Sequence, residues 1–362
     1  MKSSKTVKVC YILSYREPKY VRTKVLVGSL ALMDKVEVYK AINSRKGFLR
    51  YAETLSKLIY IRVKHRPDLY ILGFRGQEIF LPVRLITTGK RLIFDEFVVM
   101  YDWLVNEKKI IKNVFLTKII YYYNRLILKL ADFILEDTCA SVDFSSRIFE
   151  VPKCKYVALY VGTDEKLFTS GIIKKDKKQK FNVFFYGTML PLHGVNHIIE
   201  SAKELKSKPI EFTIIGGKNQ PHLVKQIKSK IYKENLHNID YKEWVEFKDL
   251  PGYIAQADVC LGGPFGSTSQ AQRVITGKTF QFLAMRKPVI IGETEEQVGF
   301  VDGVNCLLIK QGSTKALVEK IGWAYNNRGS LEAIGSNGGD MYKSRFSRSA
   351  QLPKIEALIK GS

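Results

Sequence analysis

Acidic residues are scarce in this chain. Against 58 lysines and arginines, its 362 residues hold only 35 aspartates and glutamates, a formal charge of +23. Both halves carry the excess, which points to an anionic partner: a phosphate-bearing substrate, an anionic lipid or a nucleic acid. Nucleic acid is the weakest of the three, because no helix-turn-helix, zinc-finger or aromatic RNA-binding pattern accompanies the charge. Cysteines are few as well. Cys10, Cys139, Cys154, Cys260 and Cys306 lie far apart, with no C-x-x-C pair and no histidine at zinc-ligand spacing, which excludes a zinc ribbon or a disulfide framework and fits a reducing cytoplasm. No two of the histidines make a metal pair, so the expected metal complement is none. The sequence also lacks the run of about 18 apolar residues that a membrane-crossing helix needs. The opening MKSSKTVKVCYILSYREPKY reads as a first strand, since its apolar run is short and no small-residue cleavage pattern follows. There is no short internal repeat.

What is present is an α/β rhythm, played twice. From VKVCYIL to KYVALYVG, short β-rich runs alternate with helical stretches, among them segments near 47–64 and 108–131. The pattern predicts a parallel sheet covered on both faces. FTSGIIKKDKKQK (168–180) interrupts it with a lysine tract and is the linker candidate. The rhythm then restarts at FNVFFYG and runs through FTIIGG, ADVCLGG, KPVIIG and NCLLIK. The expected architecture is α/β: two Rossmann-like, doubly wound domains facing across a cleft, at 1–170 and 171–345, with ligands bound where strand carboxyl ends open toward that cleft.

Two stretches of the second half carry candidate chemistry. In YGTMLPLHGV, a strand ends at Gly187, Thr188 and His193 lie in the loop, and Gly194 begins a helix. Such a loop either cradles a phosphate on the helix N-terminus or simply makes a tight turn. In QRVITGKTFQFLAM, Gly277, Lys278 and Thr279 open another helix, Arg273 lies on the loop before it, and Gln281 lies three residues beyond Lys278 on the same face, with Phe280 and Leu283 toward the core. Two cations and a positive helix end in one place suit a diphosphate, and an amide that donates and accepts suits ribose hydroxyls. The plainer alternative is a basic loop rim with an amide capping a turn.

Taken together, YGTMLPLHGV, FTIIGG, LPGYIAQADVCLGG, KTFQFLAMRKPVIIG and VGFVDGVNCLLI make residues 181–345 resemble the nucleotide-sugar-binding domain of retaining GT-B glycosyltransferases of the group 1, or family 4, kind. DLYILGFRG, LIFDEFVVMYDWL and ALYVGTDEKLF resemble the family's acceptor domain more loosely, and SRFSRSAQLPKIEALIK (about 346–360) resembles its returning last helix. The resemblance implies a nucleotide-sugar donor used as substrate, no cofactor or metal, and a glycan or lipid-linked acceptor in polysaccharide or glycoconjugate assembly. It places Gly187, Thr188, His193, Gly194, Gly277, Thr279 and Gln281 at the donor, and Arg273 and Lys278 on the departing diphosphate. Four positions depart from the family: Arg273 and Gln281 stand where relatives commonly carry glutamates, and Thr188 and His193 stand in a loop where relatives commonly carry Arg and Lys. A non-catalytic sugar-nucleotide-binding subunit of the same fold is the alternative.

On the acceptor side, Asp95 and Glu96 stand at a strand's carboxyl end, where relatives often carry a His-Asp pair. Either orients an acceptor hydroxyl or caps the next helix; Asp102 is a weaker candidate. Residues 108–133 mix cations with Ile, Leu, Phe and three successive tyrosines. At 100° per residue, Lys108, Lys112, Lys118, Arg125 and Lys129 share a broad face. Together with twelve cations against three acids in the first fifty residues, this predicts a cytoplasmic protein attached peripherally to an anionic membrane, at the inner face of the cell membrane. The alternative for this helix is a solvated basic face.

Overall fold

The computed structural model describes residues 6–18, 20–107, 110–111, 113–171, 180–296 and 298–360. It divides into two units: residues 1–162 with 348–362, and residues 163–347. The division falls ahead of the expected linker because residues 163–171 pack with the second unit. Phe168 meets the Phe247 ring at 5.4 Å, and Glu165 accepts a 3.0 Å hydrogen bond from the Tyr342 hydroxyl. Most of the lysine tract, 172–179, lies outside the described residues.

The first unit runs β1 (Val7–Leu13), α1 (Val21–Leu30), β2 (Val36–Ile42), α2 (Leu49–His65), β3 (Leu69–Leu72), α3 (Phe80–Ile86), β4 (Arg91–Asp95), the single turn α4 (Met100–Asp102), α5 (Val114–Leu130), β5 (Phe133–Glu136), α6 (Cys139–Phe149) and β6 (Tyr156–Ala158). Its strands are parallel in the order β2-β1-β3-β4-β5-β6. Strands such as LYIL are buried at every position, as a sheet covered on both faces requires. One face packs on Leu58, Ile61, Phe80, Val83, Ile127 and Leu128 of α2, α3 and α5. The other packs on α1 and on Ile355, Leu358 and Ile359 of the last helix, Arg348–Lys360.

The second unit runs β7 (Phe181–Gly187), α7 (Val195–Glu204), β8 (Ile210–Gly216), α8 (Pro221–Lys233), β9 (Ile239–Lys242), α9 (Leu250–Gln256), β10 (Val259–Leu261), α10 (Gly277–Ala284), β11 (Val289–Gly292), β12 (Leu307–Ile309), α11 (Thr314–Asn326) and α12 (Arg328–Met341); the helix at 348–360 is α13. Its parallel order is β12-β11-β10-β7-β8-β9. The helix α12 has no counterpart among the helices expected from the sequence, because four glycines weaken its propensity. Packing overrides that: a side chain at Gly335 would come within 2.4 Å of the Arg286 carbonyl, so only glycine allows the helix to lie this close.

In each sheet the connections change direction once, between β1 and β3 in the first unit and between β7 and β10 in the second. Adjoining crossovers leave those two gaps on opposite faces of the sheet, which opens a crevice at the strand carboxyl ends.

Candidate functional site

The second crevice brings together several of the expected residues. Strand β7 ends in it at Gly187, β10 leads into it through Gly262, and α10 enters it with Lys278. A methyl group placed on Gly187 would stand 3.1 Å from His193 Nδ1 and 3.4 Å from Lys278 Cε, so the bare backbone here is the floor of a small nest with two nitrogen-bearing walls. Gly194 closes the loop with φ +62°, a left-handed turn between His193 and α7 that glycine adopts without strain. Neither α7 nor α10 has a side-chain cap or an acidic residue in its first turn, so no side chain of its own takes up the N–H groups there.

Lys278 is only 5% exposed. Its Nζ makes one long hydrogen bond, 3.4 Å to the Gly262 carbonyl, and lies 5.2 Å from the centre of the Phe185 ring. No carboxylate pairs with it among the described residues. Burial pushes its ammonium down to about 7. His193, buried beside it, is held well below the usual histidine range by burial and by the charge of Lys278, and its Nδ1 has no hydrogen-bond partner. A neutral imidazole and a half-ionised amine at one spot leave unmet donor capacity that an incoming anion would satisfy.

Gln281 and Thr279 sit deeper than their sequence context suggested. The whole run from Lys278 to Leu283 is buried, so the side carrying Lys278 and Gln281 is as enclosed as the side carrying Phe280 and Leu283. The Tyr186 hydroxyl donates to Gln281 Oε1. That fixes the amide so that its N–H₂ is what remains for a ligand, narrowing the donor-and-acceptor role expected of it. Thr279 is fully buried, with its hydroxyl 3.1 Å from that of Thr276, whose own hydroxyl donates to the Gly262 carbonyl. Thr279 therefore braces the turn and presents nothing outward. Thr188 is exposed, and its carbonyl accepts from Gln220. Gly277 forms the first residue of α10. Arg273 is buried too, but the bonds seen for its guanidinium go to Ser269, 2.9 Å to the carbonyl and 2.6 Å to the hydroxyl, within its own loop.

In the first unit, Asp95 and Glu96 are both fully buried, and the acceptor-orienting role expected of them finds no support here. Asp95 is closed off by Arg22: Nη2 stands 2.8 Å from Oδ1, and Nε stands 3.2 Å from both oxygens. Arg22 Nη1 goes to the Leu159 carbonyl. Glu96 accepts from Asn124 at 2.6 Å and from the Ser145 hydroxyl at 3.4 Å, and lies against Glu136, likewise fully buried. Burial raises both glutamates from their ordinary value, and the charge of Glu96 raises Glu136 further, so Glu136 is held well above it. Asp102 is also buried and accepts from Asn106 at 2.6 Å. The crevice of this sheet is occupied by rings: Tyr15, Tyr20, Phe74 and Phe97 contact one another at 5.0–6.3 Å between centres. Reading along the sequence missed Arg22, Glu136 and Tyr186. Strand alignment would have flagged Glu136, which follows Asp95's neighbour Leu135 at the end of β5; nothing local marks Arg22.

Among the described residues no group of three or more histidine, cysteine or acidic side chains could hold a metal, and no helix is long and apolar enough to cross a membrane. Residues 180–327 match the family described as Glycosyl transferases group 1. A protein of Klebsiella pneumoniae, named only as an uncharacterized 41.2 kDa protein in the cps region, is 27% identical over 245 residues. That match covers 62% of this chain and 63% of the relative's length. Among solved structures, Anabaena Alr3699/HepE in complex with UDP and glucose superposes with a TM-score of 0.73 at 14% identity, over 98% of this chain and 100% of its own. Sucrose-phosphate synthase from Thermosynechococcus elongatus gives 0.73 at 13%, over 98% of both. At these identities the structures establish a shared fold, two parallel α/β sheets in one chain.

Proposed function

We propose, for a chain of the GT-B fold whose residues 180–327 belong to the group 1 glycosyltransferases, that it transfers a sugar from a nucleotide-sugar donor with retention of anomeric configuration and without a metal. The acceptor is a glycan or lipid-linked glycan in cell-surface polysaccharide assembly, a reading in keeping with the cps-region relative. One observation carries it: Lys278 is buried with no carboxylate partner among the described residues, against the unpartnered Nδ1 of His193, at the crevice of a parallel sheet.

The chemistry derives from that placement. The donor diphosphate lies over Gly187, with the N-termini of α7 and α10 and the Lys278 ammonium directed at its oxygens, and Gln281 donates to the nucleoside. As the glycosidic bond breaks, charge grows on the leaving phosphate, and donors already fixed in a water-poor site stabilise it without reorganising. A diphosphate brought beside Lys278 holds the lysine in its ammonium form. The leaving phosphate oxygen takes the acceptor proton on the same face of the sugar, which preserves its configuration. The protein acts on the cytoplasmic side, held at the inner face of the cell membrane where lipid-linked acceptors are presented.

Thermal-shift screening with UDP-, GDP- and ADP-sugars, followed by hydrolysis and transfer assays, tests this. Lys278→Ala is expected to lower turnover by roughly 10²–10³ while leaving the protein folded. Full activity in that variant would refute the assignment. Nucleotide-sugar binding without turnover under any acceptor would favour the binding-subunit alternative, which the departures at Arg273 and Gln281 motivate.

A further inference from the structure

The first unit carries an apolar surface on the outer side of α2, α3 and α5. Their inner sides pack on one face of the sheet through Leu58, Ile61, Phe80, Val83, Ile127 and Leu128, and α3 touches both of the others. On the opposite side of α5, Phe115 (71% exposed), Ile119, Tyr122 and Leu126 stand in solvent. At 100° per residue these four fall within about 60° of one another, and Lys118, Arg125 and Lys129 form the adjoining stripe. The outer side of α2 shows Tyr60 and Val63, its first turn follows Phe48 (88% exposed), and α3 shows Leu85 (77% exposed). Helical periodicity placed the cations of 108–133 on one broad outward face. In the structure Val114, Phe115 and Leu126 are exposed beside those cations, and two further helices join the surface; Lys108 and Lys112 lie outside the described residues.

Scattered exposed apolar residues need no explanation, but a patch spread over three neighbouring helices marks an interaction surface. Its charge identifies the partner. The helix α5 contains no acidic residue, and Lys64, Lys118 and Lys129 have no carboxylate partner among the described residues. Arg50, Lys57, Arg84 and Arg125 are paired with Glu78, Glu53, Asp132 and Glu150, so the unopposed cations concentrate on α5 and the end of α2. A two-fold contact with a second copy would set the α5 lysines against themselves. Apolar and aromatic side chains beside unopposed lysines match the boundary of an anionic bilayer, where rings and aliphatic chains enter the acyl edge and ammonium groups meet headgroups.

We infer that the outer side of α2, α3 and α5 is the surface by which this chain docks on an anionic lipid bilayer, with Phe115, Ile119 and Leu126 entering the acyl boundary and Lys118 and Lys129 on the headgroups. This rests on the membrane attachment proposed above and identifies its contact surface.

Flotation of the full chain with phosphatidylcholine vesicles, with and without phosphatidylglycerol, reads it directly. Binding is expected only with phosphatidylglycerol and is expected to weaken as salt rises from about 0.1 to about 1 M, where the screening length shrinks to about 3 Å. Lys118→Glu with Lys129→Glu should weaken binding about five-fold or more per lysine. Phe115→Ser with Ile119→Ser should release the protein at every salt concentration, and Val63→Ser with Leu85→Ser should weaken binding by a smaller factor. All three variants should keep the melting temperature and the thermal shift given by the sugar nucleotide, so failure here is separate from failure of the donor site. Wild-type indifference to phosphatidylglycerol would overturn the inference. So would a lipid-free dimer that these substitutions dissociate, and unchanged binding of Val63→Ser/Leu85→Ser would remove α2 and α3 from the surface.

Discussion

The two sheets bury charge at the same place, the carboxyl ends of their central strands, and do so in opposite ways. In the first unit Asp95 is matched by Arg22 and Glu96 accepts from Asn124 and Ser145, while Glu136, raised well above its ordinary value by burial and by Glu96, has no hydrogen-bond partner for either oxygen. Aromatic rings fill the crevice above. In the second unit Lys278 is as deeply buried, yet has only a long bond to a carbonyl and the face of Phe185. A charge that folding has already satisfied holds structure. One left unmatched, in a crevice, destabilises the fold and is retained for what binds there.

The largest effect should come from opening the closed side. Asp95→Ala leaves Arg22 charged and buried, with an expected loss of about 3–5 kcal/mol in urea unfolding. Lys278→Met removes a buried charge that no described carboxylate matches, so it should keep or raise the melting temperature while lowering turnover by roughly 10²–10³. Equal destabilisation by both substitutions would erase the contrast.

The two sites also respond to pH with opposite signs. Glu96 and Glu136 keep protons in the folded state above the ordinary value of 4.5, so their contribution to stability falls as pH rises from there through their folded values. Glu136→Gln should flatten that fall, with a gain in thermal stability larger at about pH 8 than at about pH 5. Lys278 is displaced from 10.5 down to about 7, so the unfolded chain holds its proton between those limits and the lysine's contribution to stability rises with pH across that window. Donor affinity should run the other way, strongest below about pH 7 and weakening as the ammonium is lost. Titration calorimetry of the sugar nucleotide between about pH 6 and about pH 9 should show it in the wild type and not in Lys278→Met.

The smallest effect concerns Tyr186. Removing its hydroxyl frees the Gln281 amide to rotate, and loss of one hydrogen bond of about 0.5–1.5 kcal/mol predicts a rise of roughly two- to twelve-fold in donor KM with kcat nearly unchanged. A matching fall in kcat would instead place Tyr186 on the reacting atoms.

Much of the fold was legible along the chain. VKVCYIL and FNVFFYG are strands over the residues the pattern marked, since a strand buried on both faces must be apolar nearly throughout. The helix expected over 108–131 begins later, at Val114, where Asn113 caps it by accepting from the N–H groups of Phe115 and Leu116. The glycine-rich α12 was invisible, because contact with Arg286 rather than local preference makes it a helix.

The candidate site was legible as a set of residues but not as a geometry. Gly187, His193, Lys278 and Gln281 lie in two short motifs, and parallel topology alone puts the ends of β7 and β10 at one crevice. Whether a polar side chain at such an end faces a ligand or a partner depends on which distant residue reaches it first. Arg22 reaches Asp95 from 73 positions away, and no described carboxylate reaches Lys278. Composition and periodicity determined two α/β sheets and a cationic chain, because those depend on what each segment must bury. Tertiary packing decided which buried charges are matched, because matching takes angstrom-scale contact between residues that local sequence does not relate.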